Sequence, residues 1–195
     1  MQTLDLKNEK GEFVIADAKK IKHLLDDLLE QIIASVDESD DIAFIGIMSR
    51  GNHLAKRLAE GFKSKTGRDV DVGALDIGFY RDDFATLGMR QPHINDSHID
   101  FPIDGKTILL VDDVLYTGRT IRAALLCFAD LGRTKCIRLV ELIDRGLREL
   151  PVQADFLGLS VATLPSQWVR VEVTERDGRD IALLYPSRRK KGETK

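Results

Sequence analysis

The chain has 195 residues, 43% hydrophobic and 31% charged, enough to fill one core and too few for several domains. Acids and bases are interspersed around a formal net charge of -3, without the broad positive field of a dedicated nucleic-acid binder, and no apolar run approaches the roughly 18 residues that cross a bilayer. Two cysteines, Cys127 and Cys136, are too few for a disulfide framework, and the four histidines form no H-E-x-x-H and accompany no C-x-x-C.

The opening M-Q-T-L-D-L-K-N-E-K lacks the basic-then-apolar layout of a secretion signal, so a cytoplasmic location without membrane contact is expected. From Ala16 to Val36, Ile21, Leu24, Leu25, Leu28, Leu29, Ile32 and Ile33 recur at helical spacing, with Asp17 as N-cap. Ile42 to Met48 is a continuous apolar run of strand length, as expected of a strand buried on both faces. Ser49, Arg50 and Gly51 interrupt it, and a helix is predicted over 52–65, stopped by Gly67. A second strand is predicted over 70–78.

The roughly 25 polar residues after Phe79 exceed an ordinary connection and have the composition of an exposed flap, in which His93 and His98 are expected to be solvated. Thr107 to Val111 reads as a third strand, Gly118 to Leu131 as a helix and Cys136 to Ile143 as a fourth strand. Short strands near 156–161, 169–173 and 181–185 would extend or cover the sheet. This alternation predicts an α/β protein with a twisted, mainly parallel sheet and helices on both faces. One domain is expected over 1–187, followed by a disordered basic tail, R-R-K-K-G-E-T-K, at 188–195.

The chemistry concentrates in V-D-D-V-L-Y-T-G-R-T, Val111 to Thr120. Ligands of open α/β sheets gather at the carboxyl ends of the strands, where Asp112 and Asp113 are expected to stand. Two adjacent acids repel one another and lose hydration there unless something binds them, ribose hydroxyls as donors or a divalent cation as counter-charge. Beyond them Tyr116, Thr117, Gly118, Arg119 and Thr120 open a helix whose free N–H groups suit a phosphate. Acids for a diol followed directly by a loop for a phosphate imply one ligand bearing both groups. Other phosphate motifs fail: Asn52 and His53 stand where a Walker loop after Gly46 needs Lys and Ser/Thr, and no G-x-G-x-x-G follows a strand.

I-L-L-V-D-D-V-L-Y-T-G-R-T resembles the phosphoribosyl pyrophosphate (PRPP) signature of type I phosphoribosyltransferases. S-R-G at 49–51, L-A-K-R-L-A-E at 54–60, D-I-G-F-Y-R-D-D at 76–83 and D-R-G-L-R-E-L-P at 144–151 narrow the resemblance to the PyrR family of pyrimidine operon regulators. The resemblance implies that fold, with a flexible flap and a small hood. It also implies uracil phosphoribosyltransferase activity, in which uracil and PRPP give uridine monophosphate (UMP) and pyrophosphate. Many members also bind an mRNA leader that attenuates pyrimidine gene transcription, and members assemble as homodimers or homotetramers.

Carried over residue by residue, Asp112 and Asp113 would hold the ribose hydroxyls and Tyr116 to Thr120 the 5-phosphate. Ser49, Arg50 and Gly51 match the pyrophosphate loop, which in such enzymes often contains a non-proline cis peptide. Tyr80, Arg81 and Arg90 fall on the flap. Ile143, Asp144 and Arg145 match the segment that frames uracil. Arg50, Asp113 and Arg81 are the implied catalytic residues, and Mg²⁺ would enter on PRPP, without an assigned protein ligand.

The departures from the family fall on its RNA side. Asp26, Asp27 and Glu30 put acids on the first helix where RNA-binding members are polar or basic, Leu147 replaces a usual histidine, and Gln153 and Leu159 replace residues that are commonly basic, while Arg148 is kept. The expectation is a transferase with weakened RNA control. The alternative is a uridine-nucleotide-dependent attenuator whose enzymatic activity is secondary.

Overall fold

The computed structural model describes residues 12–80 and 97–186. A short strand, β1 (Phe13–Ala16), precedes the first helix and was not expected from the sequence. Asp17 then caps α1 (Ala18–Ser35) by accepting a hydrogen bond from the Lys20 N–H at 2.8 Å, and the stripe Ile21, Leu24, Leu28, Leu29 and Ile32 is buried. All six residues of β2 (Ile42–Ile47) are buried, as a continuous apolar run in a parallel sheet requires. α2 (Gly51–Thr66) ends at Gly67, whose φ of 73° lets its N–H close on the Lys63 carbonyl.

β3 (Asp71–Leu75) is shorter than the predicted 70–78, because the chain turns into a 3₁₀ segment at Gly78–Tyr80. β4 (Thr107–Leu115) is four residues longer than predicted, because β5 (Cys136–Asp144) pairs with it as far as Leu115 opposite Asp144. Asp112 and Asp113 therefore lie inside a strand rather than just beyond one. α3 (Arg119–Leu131) separates β4 and β5, and β6 (Phe156–Ser160) completes a five-stranded parallel sheet in the order β3-β2-β4-β5-β6.

The last segments do not all extend that sheet. β7 (Trp168–Glu172) and β8 (Ile181–Tyr185), joined through the one-turn helix α4 (Thr174–Asp177), form an antiparallel sheet with β1 in the order β1-β8-β7. Ala16, Val169, Val171, Val173, Ala182 and Leu184 of this hood merge with the core between α1, α2 and one face of the main sheet. The opposite face carries a second core, where Ile108, Leu110 and Leu139 meet Ile121, Ala124 and Phe128 of α3.

The long connection after Phe79 is not a flap throughout. His98 pairs with Ala74 through both main-chain groups, and Ile99, Phe101 and Ile103 pack into the second core, although the His98 side chain is exposed as expected. The rest of the flap, with Arg81, Arg90 and His93, and the basic tail at 188–195 lie outside the described residues. Both cysteines are free thiols. Among the described residues no helix is long and apolar enough to cross a membrane.

Candidate functional site

Three loops meet at the carboxyl ends of β2, β4 and β5. The first follows β2. Its Met48–Ser49 peptide is cis, in the segment where the sequence suggested such a bond. The loop then runs against backbone on both sides. A Cβ on Gly46 would sit 2.3 Å from the Gly51 carbonyl oxygen, and a Cβ on Gly51 would sit 2.4 Å from that of Val111. Only glycine admits this approach, which brings Ser49 and Arg50 alongside β4.

The Arg50 guanidinium grips Asp177 of the hood, Nε to Oδ2 at 3.0 Å and Nη2 to Oδ1 at 2.9 Å. Two turns along α2, Arg57 binds Glu175 and Asp180 in the same forked way. These pairs bolt the hood to the loop and to α2. Hydrogen bonding to Arg50 holds the Asp177 carboxyl below its ordinary range against opposing desolvation. Arg50→Ala leaves Asp177 with the Val173 N–H and the more distant Arg170. Allowing for solvent screening of a partly exposed pair, the expected loss in urea unfolding is about 1 kcal/mol. Because the Asp177 value is depressed, the pair stabilises above the unfolded-state carboxyl value and that contribution fades as pH falls through the folded one. The gap between parent and variant should therefore close in acid.

The second loop carries Tyr116, Thr117 and Gly118 into α3. Gly118 takes φ 89° at the N-cap of the helix and makes no side-chain cap, which leaves N–H groups of the first turn beyond Arg119 without a capping side chain from it, in the manner of an anion site. Thr117 Oγ1 accepts the Arg119 N–H at 3.3 Å, and Arg119 pairs with Glu149 at 2.7 Å.

The third loop, 144–150, is fastened to the second. The Arg145 N–H bonds the Leu115 carbonyl, and the Glu149 and Leu150 N–H groups bond that of Thr117. Gly146 and Leu147 both adopt left-handed backbone, with φ of 72° and 60°. The Arg148 guanidinium spans Asp144 and the carbonyls of Tyr116 and Val152.

The acid pair stands between two cavities. Asp112 borders one of about 330 Å³ with Tyr116 to Ile121 and Glu149, while Asp113 borders another of about 410 Å³ with Arg50, Val114 and Trp168 to Val171. The Asp113 N–H donates to Asp112 Oδ1 at 2.9 Å. Burial pushes the Asp113 carboxyl up, and hydrogen bonding with Asp112 and the Arg50 charge offset part of that rise. A diol between the cavities, with an anion on either side, is the chemistry this arrangement accommodates.

Sequence reasoning found the acids and the loops at 49–51 and 116–120, and these converge. The resemblance implied a small hood, but not which strands build it or which side chains it brings to the site. Trp168 stacks on Tyr185 with ring centroids 4.2 Å apart, and its indole N–H is buried without a hydrogen-bond partner among the described residues. An isolated tryptophan before a short strand carries no signal of a site. Tyr80 closes the described part of the flap, its hydroxyl donating to Asp130 at 2.6 Å, a bond that pushes its pKa up to about 12.

Ile143, Asp144 and Arg145 lie beside the loop but present little to a ligand. Ile143 is fully buried, and Asp144 accepts from Arg148 and the Gly146 N–H. The Arg145 guanidinium stacks 4.0 Å from the Tyr116 ring centroid and donates to Thr163 Oγ1 and the Gln167 carbonyl. Among the described residues no three His, Cys, Asp or Glu side chains converge to hold a metal.

Residues 14–176 match the phosphoribosyl transferase domain family. The chain is 43% identical over 173 residues to the bifunctional protein PyrR of Elusimicrobium minutum, covering 89% of this chain and 96% of that relative. It is 45% identical over 171 residues to the bifunctional protein PyrR of Thermus thermophilus, covering 88% and 94%. In fold it is similar to a hypoxanthine phosphoribosyltransferase of Staphylococcus aureus, with a TM-score of 0.65 at 19% identity over 89% of this chain and 92% of that one.

Proposed function

Because the chain belongs to the phosphoribosyl transferase domain family, and within it to the PyrR proteins, we propose that it transfers the phosphoribosyl group of PRPP to uracil. One observation carries the reading: Asp112 and Asp113 stand between a cavity at the start of α3 and another that holds Arg50 and the hood. The acids accept the ribose hydroxyls, and Tyr116 to Thr120 receive the 5-phosphate at the α3 N-terminus. Ser49, Arg50 and Gly51 receive the pyrophosphate, with Tyr80, Arg81 and Arg90 closing from the flap. Uracil N1 attacks C1 of the ribose as the bond from C1 to the pyrophosphate oxygen breaks, through an oxocarbenium-like state. The chain supplies alignment, charge and exclusion of water rather than a nucleophile.

Uracil enters between Asp113 and the hood. β7 is the outer strand of the hood sheet, and its unpaired edge offers N–H and C=O groups to the ring's carbonyl oxygens and N3–H. Ile143, Asp144 and Arg145 act here by bracing the loop beneath. Mg²⁺ would arrive on the diphosphate oxygens, where it would neutralise charge on the leaving group. Offering PRPP with uracil, orotate, hypoxanthine or guanine tests the acceptor. UMP should form from uracil, and equal use of a purine overturns the assignment.

RNA control is weaker than in a dedicated attenuator. Asp26, Asp27 and Glu30 are exposed on α1, and Arg148, the surviving basic position, is committed to Asp144 and main-chain carbonyls. RNA affinity rests on free cations that reach phosphates. A gel shift with the native pyrimidine leader RNA should show binding weaker than micromolar. Tighter binding that depends on uridine nucleotides would establish the attenuator reading instead.

A further inference from the structure

Glu141 is an acid for which the proposed reaction has no use. It is fully buried in β5, and neither carboxyl oxygen has a hydrogen-bond partner among the described residues. An ionised carboxylate without partners is among the costliest groups to bury. Pairing in the sheet sets it opposite Asp112 on β4 and Leu157 on β6. The charged groups that act on it are Asp112 and Asp113 of β4, Asp144 of its own strand and Arg148 of the following turn. Three of those four are acids, and the one cation is already engaged with Asp144. Burial first, then these carboxylates, hold the Glu141 pKa well above its ordinary range.

We propose that Glu141 is a positioning residue whose proton keeps the ribose-binding pair working, so that losing this proton closes the site to the phosphorylated sugar. Once the Glu141 proton has passed to solvent, a third anion beside Asp112 in a dry interior would force the pair apart. That movement takes acceptors away from the ribose hydroxyls. The sign follows: an acid with a raised pKa is neutral below that value and ionised above it, so sugar binding persists at low and neutral pH and is lost as pH rises through it. Asp113 acts on the opposite limb, because its protonation weakens the grip in acid.

The inference rests on PRPP as the donor and is independent of uracil as the acceptor. The test is binding of PRPP with Mg²⁺, followed by calorimetry and by the fluorescence of Trp168, the only tryptophan, in the full chain and in Glu141→Gln and Glu141→Leu. The parent should lose about tenfold or more in affinity on the alkaline side, whereas both variants stay within about twofold of their neutral value. Titration of PRPP itself is common to all three and cancels. Parallel alkaline loss in parent and variants overturns the inference. Infrared absorption of the parent supplies a measurement that needs no variant: a protonated-carboxyl band at neutral pH should vanish together with PRPP affinity, and its absence is equally fatal. Failure to bind PRPP at any pH would instead overturn the donor reading.

Discussion

Asp113→Asn is expected to lower kcat/KM for PRPP by about 10- to 100-fold, the worth of one hydrogen bond to a charged acceptor. Asparagine keeps the shape but presents a donor and a weaker acceptor to the ribose hydroxyls. The fold should survive. Burial raises the Asp113 carboxyl, so ionising it costs more in the folded protein than in the unfolded one, and stability is lost as pH rises through the folded value. The amide cannot ionise and escapes that loss. Urea unfolding at neutral pH should therefore find Asp113→Asn at least as stable as the parent, while UMP formation falls. Near-normal turnover would remove Asp113 from the reaction. A large drop in stability would reverse the sign argued for its burial.

Gly46→Ala should do the opposite, destroying the site by unseating the backbone around it. The added methyl would lie 2.3 Å from Gly51 O, 2.4 Å from Asn52 Cα and 2.5 Å from Asn52 N, all main-chain atoms with no rotamer to change. Either β2 separates from the start of α2 or the loop carrying Ser49 and Arg50 shifts. The expected cost is about 3 kcal/mol or more, at the upper end of core overpacking. Gly61→Ala is the informative control. Its methyl would meet only the Leu29 side chain, closest at Cδ2, 2.7 Å away, the far end of a chain that can rotate. There the gain in helix propensity of up to about 1 kcal/mol offsets the crowding. Thermal unfolding and UMP formation of the two variants would separate a backbone constraint from general intolerance of alanine.

Read alone, the sequence determined which segments bury one face and which bury two. The helical stripe from Ile21 to Ile32, the apolar run from Ile42 and the stop at Gly67 are local patterns, and each is realised to within a residue or two. The acids and the phosphate-type loop were legible because their chemistry is contiguous in the chain. Tertiary structure alone decided the rest. β4 runs on to Leu115 because β5 supplies a partner there, and the β7–β8 pair becomes part of a hood because β1, from the other end of the chain, pairs with β8. The grip of Arg50 on Asp177 spans 127 positions, and Trp168 reaches the second cavity only through that hood. Glu141 sits unremarked in an apolar strand pattern until β4 and β6 enclose it. Periodicity reports how one element faces its surroundings, whereas the identity of those surroundings depends on strand order, which no local pattern encodes.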